Sequence, residues 1–290
     1  MGESKPELTP IYGPVSGRKA QAALFMSGSG TNGLRVLEHE QNLGDESPFY
    51  VSVIVTDNPR SNAGEIADRY GRPFVQNDIK VFYGMSGLNK VSLKTEKGRQ
   101  VREEWTECLR KQLEEYAVDI GVFGGFVPLT NITADFPCVN IHPGDLTYKK
   151  DGERYLVGLH TEPIKLALFE GLDTVRSSAI IATPYDLDGS DMDTGPLLAV
   201  GPEVAIPQLP PWMLDELKEN PGDYEPFLKT IQNRLKINSD WKTLPLAVQW
   251  VAEGRYALDD DNNVYFEGDK MQNGVQITAL DRQKGEFEVK

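Results

Sequence analysis

Cysteine is nearly missing from this 290-residue sequence, which holds only Cys108 and Cys138. Two such residues, without metal-ligand spacing, exclude a disulfide framework and a structural zinc site, so the expectation is no metal and a reducing, cytoplasmic setting. Histidine is almost as scarce, with His39, His142 and His160 alone. Cations are outnumbered, 30 Lys and Arg against 44 Asp and Glu for a formal charge of -14, and that disfavours a nucleic-acid surface, where Lys and Arg must neutralise phosphates. No apolar run approaches the roughly 20 residues that cross a bilayer. The opening MGESKPELTPIYGPVSGRK is polar and Pro/Gly-containing, which fits an irregular arm rather than a signal peptide, and it lacks the Ser or Thr of a myristoylation signal. Small molecules are therefore the expected partners, with neither nucleic acid nor membrane. Oligomeric state is not readable from the sequence.

What is present is an alternation of buried-strand and helix patterns. Ala22 to Met26 forms an apolar run that breaks into Ser27-Gly28-Ser29-Gly30-Thr31-Asn32, with a helix expected over Leu34 to Gln41. Tyr50 to Thr56 predicts a second strand, Ala63 to Tyr70 a helix closed by Gly71, and Pro73 to Val75 a short third strand. Residues 77–100 read as an irregular excursion, followed by a helix over Val101 to Tyr116 and a strand over Val118 to Phe123 that ends in Gly124-Gly125. Further strands are expected at Cys138 to Ile141, Ser177 to Thr183 and Leu197 to Ile206. Helices are expected at Glu162 to Glu170, before Leu235 and at Leu244 to Glu253, with short strands or hairpins over Tyr256 to Phe266 and Val275 to Val289. Such an alternation predicts an α/β chain: a Rossmann-like, mostly parallel sheet with helices on both faces and ligands at the carboxyl ends of the strands. The expected organisation is an irregular arm over 1–19, a catalytic domain over 20–266 and a small C-terminal β extension over 267–290 packing on the same domain.

Several residues carry chemical possibilities. The SGSGTN turn is neither a Walker loop nor a dinucleotide fingerprint, yet a glycine-rich strand-to-helix junction presents free N–H groups and the positive end of a helix dipole to an anion. A tight turn without ligand is the plain alternative. Asn140 and His142 stand two apart on a predicted strand, so both project to one face beside Gly124-Gly125. His39 is expected to face water. His160, just ahead of a helix, fits a turn or capping role as readily as a chemical one. The loop Pro184 to Pro196 carries aspartates at 186, 188, 191 and 193, but its spacing fails the EF-hand pattern.

Taken together, ALFMSGSGTNGL, VSVIVTDN, DIGVFGGFV, NIHPGDL, GLHTEPIKLAL, DTGPLL and LPLAVQWVAEGRYAL resemble, in order, the folate-dependent formyltransferase family, and within it most closely the phosphoribosylglycinamide formyltransferases of purine synthesis. The resemblance runs from about Ala22 to Tyr265 and implies transfer of a formyl group from 10-formyltetrahydrofolate, as co-substrate, to the amine of a phosphorylated small molecule. It implies Asn140, His142 and Asp193 as the catalytic trio, with Asp188 a weaker rival to Asp193. Gly30, Thr31 and Asn32 would bind the substrate phosphate, and Asp240 would stand on the amine side, where the family has a glutamate. Phe126, Val127, Leu129 and Thr130 would line the folate slot, joined by Arg102, for which a solvated helix position is an equal reading. The sequence departs from the family in a longer, charged segment over Gly144 to Val157 and an extended aspartate loop. These departures leave open a relative that formylates another amine, such as an amino sugar nucleotide. A formyltetrahydrofolate hydrolase would carry a regulatory domain ahead of the catalytic one, with no room for it before residue 20, and a methionyl-tRNA formyltransferase would need a basic surface.

Overall fold

In the computed structural model, which describes residues 6–185 and 194–278, the apolar runs assemble into one eight-stranded sheet. Its strands are β1 (Ala20–Phe25), β2 (Phe49–Thr56), β3 (Phe74–Gln76), β4 (Ile120–Phe123), β5 (Cys138–His142), β6 (Ser178–Ala182), β7 (Leu197–Val200) and β8 (Val275–Gln276). They lie in the order β8-β7-β6-β5-β4-β1-β2-β3. From β5 to β3 every pairing is parallel. Strand β6 runs antiparallel to both β5 and β7, and β8 joins β7 in parallel. Between β1 and β4 the winding reverses direction, which opens a crevice at the carboxyl ends of those strands.

Among the described residues there are eight α-helices: α1 (Thr31–Leu43), α2 (Ala63–Tyr70), α3 (Ile79–Met85), α4 (Glu96–Leu113), α5 (Glu162–Phe169), α6 (Pro211–Glu219), α7 (Glu225–Leu235) and α8 (Trp241–Ala252). Strand side chains alternate between faces. Leu24, Ile54 and Val122 pack with Leu37 of α1 and Leu244 and Val248 of α8, whereas their neighbours Phe25, Val55 and Phe123 pack with Tyr83 of α3 and Trp105 and Leu109 of α4. Both faces being covered, the parallel strands read as continuous apolar runs rather than as alternating ones. A third cluster, with Leu156, Ile164, Leu217, Leu228 and Leu235, holds α5, α6 and α7 together.

The sequence expectation of an irregular excursion over residues 77–100 holds only for its middle, because α3 fills Ile79–Met85 and α4 already starts at Glu96. Asp78 caps α3 by accepting from the N–H groups of Lys80 and Val81 at 2.9 and 3.1 Å, and Thr95 caps α4 by accepting from Gly98 N at 3.1 Å. Caps of this kind satisfy orphan N–H groups and start a helix where periodicity is too short to show it. Helix α1 begins at Thr31 rather than Leu34 because Gly30 takes the left-handed N-cap conformation, φ 67°. The strand expected over Leu197 to Ile206 is two: β7, and then Val204–Ala205 paired with Thr174–Val175. At the N-terminus, Thr9–Pro10 is an edge strand against Ala257 and Leu258, in a small sheet completed by Val264–Phe266 and Asp269–Met271. The rest of the segment expected to be strand after Gln276 falls largely outside the described residues.

Candidate active site

A cavity of about 400 Å³ opens at the carboxyl ends of β1, β4 and β5. Its first wall is the turn from β1 into α1. A Cβ at Gly30 would stand 2.6 Å from both Ile66 Cδ1 and Met26 Sδ, so only glycine fits this left-handed position. Asn58 Nδ2 donates to Ser27 O at 2.8 Å, Asn62 N to Gly28 O at 3.0 Å and Asn62 Nδ2 to Ser29 O at 3.3 Å, which ties up the loop carbonyls. Among the described residues no side chain caps α1. The N–H groups of its first turn and the positive end of its dipole are thus left for an anion.

The floor is the end of β5. Asn140 and His142 both line the cavity, as their two-residue spacing requires. His142 is buried, and its Nε2 lies 2.7 Å from the carbonyl oxygen of Leu156. A carbonyl only accepts, so Nε2 carries a proton, and in the neutral ring the basic nitrogen is Nδ1. Leu156 belongs to the segment over Gly144 to Val157 that departs from the resemblance. That segment folds back through a hairpin, Lys149–Lys150 against Glu153–Arg154.

The far wall is helical. Gln232, Lys236 and Asp240 stand four residues apart and all face the cavity. Between α7 and α8 the chain makes a π-helical turn, Lys236–Asp240, a widened turn of the kind that recurs at functional sites. Ser239 locks it to the sheet, its Oγ accepting from Ser177 N at 3.0 Å and pairing with Ser177 Oγ at 2.7 Å. Downstream, Pro245 has no N–H to give to the carbonyl of residue 241. Asp240 is 5% exposed and accepts from Asn32 Nδ2 at 3.1 Å. Its Oδ1 and the Oδ1 of Asn32 meet no partner among the described residues. Burial pushes the Asp240 carboxyl up to about 6, against the opposing pull of the Asn32 hydrogen bond, Lys236 and His142. A buried carboxylate with an unsatisfied oxygen is poised for a donor from outside the chain.

A second cavity, of about 820 Å³, meets the first at Val127 and is lined by Lys80, Lys94, Arg99 and Arg102 over an apolar wall that includes Val91, Leu93 and Leu129. Val127 is set by Ser27, whose Oγ accepts from Val127 N at 2.9 Å and donates to the buried carboxylate of Asp57. Desolvation raises the Asp57 carboxyl, with the Ser27 hydrogen bond pulling the other way.

The first cavity thus gathers Gly30, Thr31, Asn32, Phe126, Val127, Asn140, His142 and Asp240, and the second adds Leu129 and Arg102. Arg102 is not a solvated helix residue: it is 4% exposed and donates to the carbonyl of Leu129. Thr130 reaches neither cavity, because its hydroxyl is spent inside the protein, accepting from Ile132 N and pairing with Thr106. His39 does not simply face water; half-buried, it meets Gln249 Oε1 at 2.7 Å, and burial lowers its pKa. His160 lines the cavity with a left-handed φ of 57°. Asp193 and Asp188 lie outside the described residues. Sequence reasoning overlooked Lys236 and Gln232, although their four-residue steps from Asp240 were the available signal.

The sequence matches no protein-family model and no curated protein. The structure is similar to that of phosphoribosylglycinamide formyltransferase from Coxiella burnetii, at 18% identity and a TM-score of 0.63 over 89% of this chain and 99% of that one. It is similar as well to glycinamide ribonucleotide transformylase 1 from Symbiobacterium toebii, at 21% identity and a TM-score of 0.61 over 87% and 95% of the two chains. A formyltetrahydrofolate deformylase from Pseudomonas putida KT2440 follows at 15% identity and a TM-score of 0.56, over 87% of this chain and 71% of that one. The mostly parallel sheet with helices on both sides is the fold of these formyltransferase structures.

Proposed function

We propose that this chain is a cytoplasmic, folate-dependent formyltransferase. It carries a formyl group from 10-formyltetrahydrofolate to the amine of a phosphorylated small molecule, glycinamide ribonucleotide of purine biosynthesis before others. One observation carries the reading. A single cavity has an uncapped helix N-terminus and Lys236 for an anion, the Asn140–His142 pair at its floor, and in Asp240 a buried carboxylate with an unmatched oxygen.

The residue types suit the reaction. As the amine adds to the formyl carbon, negative charge builds on the formyl oxygen, and the Asn140 amide donates to it, a contribution worth about 3 kcal/mol at comparable sites. His142, with its Nε2 proton given to Leu156, exchanges a proton through Nδ1 as the folate nitrogen departs. Asp193 supplies the anion that orients and charges the imidazole, or relays the amine proton through water. Asp240 accepts from the acceptor substrate. The second cavity takes the folate: its apolar wall suits the aromatic part, and Lys80, Lys94 and Arg99 suit the glutamate carboxylates.

Lys236→Met tests the anion end. The expected result is a KM for a phosphorylated acceptor raised by about tenfold with kcat retained, and a weaker dependence of that KM on salt. An unchanged KM would remove Lys236 from the phosphate site.

The reaction itself is tested by supplying 10-formyltetrahydrofolate with glycinamide ribonucleotide, with amino sugar nucleotides, or with no acceptor, while following tetrahydrofolate by absorbance and formate by coupled assay. Acceptor-dependent release without formate is expected. The likeness to a deformylase favours one second reading, in which water replaces the amine; formate release independent of any acceptor would establish it.

A further inference from the structure

Resting on the reading that the second cavity takes the folate, we propose that Ser27 and Asp57 are a positioning pair: the carboxylate fixes the Ser27 hydroxyl, and the hydroxyl holds Val127, which lines both cavities. The hydrogen bonds define one arrangement. An N–H only donates, so Ser27 Oγ accepts from Val127 N at 2.9 Å, and the single hydroxyl proton goes to Asp57 Oδ1. The backbone of Ser27 is engaged as well, its N–H donating to Gly125 O at 3.1 Å and its carbonyl accepting from Asn58 Nδ2 at 2.8 Å. Asp57 is held from the other side, its carbonyl accepting from Ile79 N at 3.2 Å at the start of α3. Both residues are 8% exposed.

The turn after β4 needs this support at one place. Gly125 takes a left-handed φ of 93°. Phe126 is fixed by its ring, which packs with Phe25, Phe123 and Trp105 at centroid distances of 5.3, 5.5 and 6.4 Å. Beyond it the chain comes out to the cavities, and Val127 is 43% exposed. Pro128 has no N–H to give, so the next anchor is the carbonyl of Leu129, which accepts from Arg102. Between the Phe126 ring and that carbonyl, the bond from Val127 N to Ser27 Oγ is the one hydrogen bond that holds the backbone among the described residues. Val127, Pro128 and Leu129 all line the second cavity, so this bond sets the place of one of its walls.

The acceptor groups of the first cavity do not hang on that bond. Gly30 belongs to the turn into α1, and Lys236 and Asp240 to the π-helical turn that Ser239 pins to Ser177. Removing the Ser27 hydroxyl thus leaves Val127 N without its acceptor and frees Val127 and Pro128, with the acceptor site still built. Folate must then order this backbone as it binds, and fixing even one residue costs enough free energy to weaken binding about tenfold. Asp57 itself lines the second cavity, and asparagine separates its two possible roles: the amide oxygen accepts from Ser27 as the carboxylate does, but carries no charge toward a ligand.

The experiment compares the full chain with Ser27→Ala, Ser27→Cys, Asp57→Ala and Asp57→Asn. It measures affinity for 5-formyltetrahydrofolate, a stable reduced folate, by titration calorimetry, both KM values in the acceptor assay above, and melting temperature. Ser27→Ala is expected to weaken folate binding and raise the folate KM by about tenfold, with the acceptor KM within about twofold. Asp57→Ala, which leaves the hydroxyl free to turn, should weaken folate binding by about fivefold, and Asp57→Asn should recover it to within about twofold of wild type. Ser27→Cys fills the same space with a poorer donor and acceptor; it should also weaken folate binding, and it decides the matter if the alanine variant is insoluble. Unchanged folate affinity in both Ser27 variants overturns the inference. So does an Asp57→Asn variant as weak as Asp57→Ala, which would make the carboxylate a direct ligand contact, and so does a rise in both KM values that follows a lower melting temperature. A wild-type chain that binds no reduced folate would overturn the reading of the second cavity instead, and this inference with it.

Discussion

Replacing His142 with alanine is expected to lower kcat for formyl transfer by about 10³-fold while leaving the KM of both substrates within a few fold. The imidazole sits at the cavity floor with one nitrogen committed to Leu156, so its loss removes a proton-exchanging group and leaves the glycine turn and the helical wall of the pocket in place. His142→Asn separates the two tasks: it keeps a donor near Leu156 but cannot exchange a proton at working pH, and it should be nearly as slow as the alanine variant. Asn140→Ala should cost about 10²- to 10³-fold in kcat, the range seen when one oxyanion donor is removed. Because the two residues act on the same tetrahedral intermediate, the double variant should be little worse than the slower single one. Wild-type kcat in His142→Ala would leave the proposed chemistry without its centre.

The second large effect concerns Asp240, where stability and function pull in opposite directions. Burial raises its carboxyl from the ordinary aspartate value of 3.8 to about 6. Between roughly pH 4 and 6 the folded chain therefore holds a proton that the unfolded chain has already released, so stability falls as pH rises through this window and is level above it. Taken over about two pH units, the loss is on the order of 3 kcal/mol. Asp240→Asn cannot ionise and should raise the melting temperature of the ligand-free protein by several degrees at pH 8 and leave it unchanged at pH 4. The same variant should lower kcat/KM for the acceptor by about a hundredfold, since a charged hydrogen-bond partner is lost from a buried site. Differential scanning fluorimetry across pH, beside steady-state kinetics, checks both. Equal melting temperatures at pH 8 would mean that the carboxylate is already compensated within the protein.

Much of this was written in the chain order. The runs around Leu24, Ile54 and Val122 announce buried parallel strands because both faces are covered, and the step from Phe25 into Gly28 and Gly30 announces the turn that α1 grows from. Asn140 and His142 were legible for the same reason: a strand has period two, so spacing alone predicts a shared face. Helix α3 was not, because at seven residues it is too short for periodicity and is declared only by its cap, Asp78. Arg102 and Thr130 were reached only through the resemblance, and whether a side chain opens to a cavity or closes on a neighbour is a tertiary fact. Asp240 was legible through resemblance, but its burial and its contact with Asn32, 208 residues away in sequence, follow from packing that no local pattern carries.

The π-helical turn at Lys236–Asp240 has a consequence for how this pocket can change. A helix advances about 100° per residue, so the extra residue of a widened turn resets the angular phase of everything on its N-terminal side relative to α8. Deleting one residue there would rotate Gln232 and its neighbours by that amount while the downstream half, pinned to the sheet through Ser239, stayed where it is. Gln232 ahead of the turn and the Asp240 carboxylate at its end are therefore held in phase by the turn between them, on one continuous rod.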